Sequence, residues 1–145
     1  MFGICIWLKL NDKNYYNSFI KQLINNFKLK YHHAHITIKY NLGILESINF
    51  YYKNYNKYTD LLCPINRIYK SSKENFHSLQ LDFTDSSKKN IYHVSVAYRT
   101  DRPFNHHELE YANKLLKPTL VYKDDYKLNI YNCNSINSNN WFKII

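Results

Sequence analysis

Apolar and polar residues alternate singly in several short runs of this chain, the period of a strand that buries one face. Residues 2–10 set Ile4, Ile6, Leu8 and Leu10 against Cys5, Trp7 and Lys9, which predicts a core strand. Over 14–28 the period changes: Tyr16, Phe19, Ile20, Leu23, Ile24 and Phe27 recur at helical spacing and predict an amphipathic helix. A second strand is expected at 33–41, and Leu45, Ile48, Tyr52 and Tyr55 predict a helix over 44–58. Strands are expected at 62–70, where Pro64 calls for a sheet edge, at 76–84, where Leu79, Leu81 and Phe83 share a face, and at 91–98. The third helix has the clearest start. Asn105 can cap it, Glu108 completes a capping box, and Phe104 with Leu109 forms a hydrophobic staple. It should run to Lys117 and stop before Pro118. Residues 119–124 and 126–132 read as a hairpin around Asp124-Asp125, 134–140 as an Asn/Ser-rich loop, and Trp141 and Phe142 as an apolar anchor. Strands and helices mixed along a chain without a linker predict one α+β domain over 1–145.

Two of the expected strands are near copies. His35-Ile36-Thr37-Ile38-Lys39-Tyr40 is echoed by His93-Val94-Ser95-Val96-Ala97-Tyr98. On a strand, residues two apart share a face, so His35 projects with Thr37 and His93 with Ser95. Ile36, Ile38 and Tyr40, and likewise Val94, Val96 and Tyr98, would pack behind them. Two imidazoles and two hydroxyls presented from similar strands suit acid–base chemistry without a metal. The other histidines fit a metal site poorly. His32, His33 and His35 cannot share one strand face, and His106 and His107 read as first-turn residues of the capped helix. Ser95 lacks the glycines of a nucleophile elbow, and no Gly-rich phosphate loop exists. No cofactor is expected.

Composition adds an anionic partner to this picture. The formal charge is +9 with a pI near 9.4, yet no Arg-rich helix or basic tail marks a duplex-DNA binder. A small phosphorylated ligand needs few cations. Lys39, beside Thr37, and Arg99 and Arg102, just past the second motif, are the candidates. Asn, Lys, Ile and Tyr dominate, a bias of AT-rich coding found in viruses, phages and some protists. Three cysteines without CxxC spacing and no secretory leader lead us to expect reduced thiols in the cytoplasm, the host cytoplasm for a viral chain. Residues 2–8 are too short to span a membrane.

His35-Ile36-Thr37 and His93-Val94-Ser95 together resemble the 2H phosphoesterases, a family named for two His-x-Thr/Ser motifs. The interval between the motifs leaves room for one helix and two strands. The resemblance implies a two-lobed α+β fold, with antiparallel sheets around a central cleft and helices packed outside. It also implies metal-independent cleavage of phosphodiesters in RNA-like or cyclic nucleotides. One histidine would deprotonate a ribose hydroxyl or water and the other would protonate the departing oxygen, in an order that sequence leaves open. Thr37 and Ser95 would bond the non-bridging oxygens. Trp7 is the first candidate to stack on a nucleobase, with Trp141, Tyr40 and Tyr98 next. The expected substrate is a small immune-signalling nucleotide, a cGAMP-like cyclic dinucleotide or a 2′–5′-linked oligomer. The alternatives are an RNA-end 2′,3′-cyclic phosphodiesterase and a non-catalytic nucleotide-binding module.

Overall fold

Residues 3–134 and 141–145 are described by a computed structural model. The element order is β1 (Ile4–Leu10), α1 (Tyr15–Phe27), β2 (His35–Leu42), α2 (Ile44–Asn54), β3 (Cys63–Lys73), β4 (Phe76–Thr84), β5 (Ile91–Arg99), α3 (His106–Leu115), β6 (Tyr126–Asn132) and β7 (Phe142–Lys143). The class is α+β, as the mixed periodicity predicts. The described strands form one antiparallel sheet of seven in the order β3-β4-β5-β2-β1-β6-β7, where separate sheets were expected. Pro64 lies in the edge strand β3, as its missing N–H calls for.

One large core holds the helices to one face of this sheet. Tyr16, Phe19, Ile20 and Leu23 of α1 join Ile6, Leu8, Ile36, Leu79, Leu81, Phe83, Val94 and Val96 from the strands. Burial of each such side chain contributes about 1.5–3 kcal/mol. α1 packs over β5, α3 against β3, and α2 over β1 and β6. Caps set the helix ends. Asn14 accepts the Tyr16 N–H at the start of α1, and Asn105 and Glu108 make the expected capping box on α3. β1 buries both faces: Cys5 and Trp7 form a second cluster with Cys133, against which Tyr131 and Trp141 pack.

Several boundaries differ from the sequence reading, α3 among them, which ends at Leu115 rather than Lys117. α2 stops at Asn54, whose side-chain amide donates back to the Phe50 carbonyl in competition with the helix ladder. β3 continues to Lys73 and meets β4 through the two-residue turn Glu74-Asn75, with Glu74 at φ 55°. The 119–124/126–132 hairpin is absent. Val121 bridges Leu62, Lys123–Asp125 is a 3₁₀ turn closed by the Asp125 carboxylate on the Tyr122 N–H, and β6 pairs with β1 and β7. Most of the expected 134–140 loop lies outside the described residues. No helix among the described residues is long and apolar enough to cross a membrane.

Candidate active site

β2 and β5 lie side by side at the centre of the sheet, joined through the pair Ile36 and Val94. These are the middle residues of the two motifs. Continued one step either side of that pair, the antiparallel register would set His35 across from Ser95 and Thr37 across from His93. A local twofold axis between Ile36 and Val94 therefore relates the two copies. That register would give each imidazole the other motif's hydroxyl as its cross-strand neighbour. Because Ile36 and Val94 face the helices, the four polar side chains project from the opposite face.

A bulge follows each motif at the same place. On β2, Trp7 pairs with Thr37 but Ile6 pairs with Lys39, leaving Ile38 as the extra residue. On β5, Gln80 pairs with Ser95 but Leu79 pairs with Ala97, leaving Val96. A one-residue offset exchanges the faces of everything beyond it. Lys39 is thereby turned to the face of Ile6, where its Nζ lies 5.1 Å from the Phe50 ring centroid, so it is not beside Thr37 as expected. Tyr98 is turned the other way and packs against His32 and Phe76, with ring centroids at 4.3 and 4.9 Å, instead of behind the motif. Tyr40, the residue after Lys39, is 54% exposed.

The two motif histidines sit in different surroundings. His35 is only 5% exposed, and its Nδ1–H donates to the His33 carbonyl at 2.8 Å. That bond fixes the tautomer and leaves the lone pair on Nε2. Burial pushes the His35 pKa down to about 3, with the bond to His33 pulling the other way. His93 is half-buried. Burial also lowers it, while the carboxylate of Asp82, its partner across the β4–β5 ladder, pulls it up. Asp82 Oδ1 accepts the Tyr69 hydroxyl at 2.7 Å, and Gln80 Oε1 lies 3.0 Å from the same hydroxyl. Asp82, Gln80 and Tyr69 were missed from sequence. Their signal is the inward set Leu79, Leu81 and Phe83, which leaves Gln80 and Asp82 facing out, but only the β4–β5 register puts Asp82 against His93.

The neighbouring histidines separate as strand geometry demands. His32 Nε2–H donates to the Ser95 carbonyl at 2.8 Å, tying the chain before β2 to β5. Its Nδ1 is buried without a partner, and burial lowers its pKa to about 4. His33 turns outward to Asp12, at 2.8 Å. Among the described residues, no group of three or more His, Cys, Asp or Glu side chains is arranged to hold a metal ion.

The expected cations are engaged elsewhere. Arg99, its side chain 8% exposed, bonds both oxygens of Asp101 at 2.8 and 3.0 Å and Glu108 at 2.9 Å. Arg102 bonds Glu108 as well, so both arginines brace the start of α3 rather than await a phosphate. Trp7 is likewise committed. Its indole stacks on His35 at 3.5 Å and on Tyr131 at 4.0 Å, so it positions the imidazole and offers no open face to a base. Trp141 is half-buried, with edge contacts to Trp7, His35 and Tyr98 at 5.7, 6.4 and 6.0 Å. Of the expected aromatics Tyr40 is the most exposed, while Trp141 and Tyr98 are half-buried. No protein-family model matches this chain, and no curated protein matches its sequence.

Proposed function

We propose that this protein is a metal-independent phosphodiesterase of the 2H type, acting on small RNA-like nucleotides from the face that carries His35, Thr37, His93 and Ser95. The observation that carries the reading is the Ile36–Val94 pair. It makes two motifs distant in sequence into neighbours related by a twofold, the arrangement that brackets one phosphate between two imidazoles and two hydroxyls. The strand order supports a two-lobed reading. About the same axis, β5, β4 and β3 run one way and β2, β1 and β6 the other.

The surroundings divide the labour. His35, neutral and with its lone pair on Nε2, is the base that takes the proton from a ribose hydroxyl or water. His93, facing Asp82, is the acid that returns a proton to the leaving oxygen. The Thr37 and Ser95 hydroxyls donate to the non-bridging oxygens as charge develops there. A phosphate brought beside His93 favours its protonated form further, so binding readies the acid. The exposed ring of Tyr40 can meet a base, and half-buried Trp141 flanks His35. The substrate class we favour is a cyclic dinucleotide or 2′–5′-linked oligomer met in the cytoplasm. Incubation with cyclic and linear 2′–5′ and 3′–5′ nucleotides in EDTA, read by mass spectrometry, tests this. Turnover of cyclic dinucleotides or 2′–5′ oligomers supports it. Turnover confined to RNA 2′,3′-cyclic ends moves the substrate to RNA-end processing, and tight binding without turnover leaves a binding module.

A further inference from the structure

The face that carries the two motifs has an electrical direction. Lys9 pairs with His35 across the β1–β2 ladder, and Lys127 pairs with Lys9 across the β1–β6 ladder. Directly opposed residues share a face, so His35, Lys9 and Lys127 form one row over three adjacent strands spaced about 4.8 Å apart. Neither ammonium makes a hydrogen bond or ion pair among the described residues. Asp12, whose carboxyl feels the charge of Lys9, is itself held by His33. On the other side of the motif pair the next strand presents Gln80 and Asp82, with Tyr69 beyond. A polyanion is drawn toward β1 and β6 and repelled from β4.

Resting on the reading of the motif pair as a phosphodiester site, we propose that Lys9 and Lys127 form a second phosphate subsite. The substrate then carries at least one phosphate besides the one that is cleaved, and that phosphate lies on the His35 side. A nucleoside 2′,3′-cyclic monophosphate leaves this subsite empty. A 5′-phosphorylated or longer oligonucleotide fills it. Asp82, Gln80 and Tyr69 then meet uncharged parts of the substrate, the sugar or base on the far side of the scissile bond.

The probes are diadenylates whose hydroxyl next to the linkage is methylated (2′-O-methyl for a 3′–5′ bond, 3′-O-methyl for a 2′–5′ bond), bearing no terminal phosphate, a 5′-phosphate or a 3′-phosphate. For the wild type, one terminal phosphate should tighten binding about tenfold, the scale of a charge-assisted contact. It should also steepen the salt dependence by about 0.7 in log Kd per log salt. In Lys9→Gln/Lys127→Gln the gain should fall below about twofold, while Lys9→Arg/Lys127→Arg keeps most of it. Lys53→Gln/Lys114→Gln, on α2 and α3, removes the same net charge and should keep the gain in full. A gain that survives the Lys9/Lys127 glutamine pair, or is lost equally in the helix control, overturns the subsite. The catalytic reading fails separately: binding as described with no cleavage of unblocked diadenylates sinks that reading alone, and cleavage with an unchanged phosphate gain sinks only the subsite.

Discussion

Acid should unfold this protein early, and two buried imidazoles set the scale. His35 and His32 are held to pKa values of about 3 and about 4 against an ordinary 6.5, in both cases chiefly by burial. Between those values and 6.5 the folded chain keeps both rings neutral while the unfolded chain protonates them. Stability is therefore complete above pH 6.5 and is lost as the pH falls, by about 1.4 kcal/mol per pH unit for each ring. At pH 4.5 the two together should have removed about 5 kcal/mol, a large part of the 5–15 kcal/mol typical of a domain. Urea midpoints taken from pH 8 to 4.5 read this directly. Tryptophan fluorescence is the natural signal, because Trp7 stacks on His35. His32→Gln and His35→Gln should each remove about half of the slope. A midpoint that stays level between pH 7.5 and 5 would refute the burial argument, and with it the neutral His35 on which the choice of base depends.

Other consequences follow from particular contacts. The alkaline limb of kcat/KM should lie below pH 6.5, since burial of His93 outweighs the pull of Asp82; Asp82→Asn should shift that limb further down, and an unmoved limb would dissociate Asp82 from the acid. Glu108→Ala removes a capping box and the partner of two arginines, so it should cost about 1–3 kcal/mol in thermal or urea unfolding while kcat stays near wild type. Trp7→Ala should destabilise by about 3–5 kcal/mol and lower kcat, because it frees the His35 ring. Tyr40→Ala should leave stability unchanged and raise KM by the worth of one stacked base, about 1–3 kcal/mol, which a KM-against-kcat comparison would resolve.

Much of the fold was legible because its signals are local. The alternation in β1, the helical spacing in α1 and the capping box of α3 each need only neighbouring residues. The end of α2 and the false hairpin at 119–132 were not legible, because side-chain competition at Asn54 and the long-range bridge from Leu62 to Val121 decided them. The four motif residues stand out in the sequence because the echo is itself a local pattern. Their companions were misjudged for a physical reason. A single extra residue at Ile38 and at Val96 reverses which side Lys39 and Tyr98 take, and no local pattern announces a bulge. Lys9, Lys127 and Asp82 come near the motifs only through register, which sequence leaves open where strands are distant.

The central claim is that His35 and His93 together cleave a phosphodiester with no metal ion. The most direct test follows one cleavable nucleotide under single-turnover conditions with excess EDTA, comparing wild type, His35→Ala and His93→Ala after unfolding curves have shown which variants are folded. Wild-type turnover should be indifferent to the chelator, and each alanine variant should lose about 10²–10⁴-fold in rate while still binding an analogue whose hydroxyl next to the scissile bond is methylated. Activity that disappears with EDTA and returns with zinc or magnesium, or that survives in either histidine variant, would contradict the account.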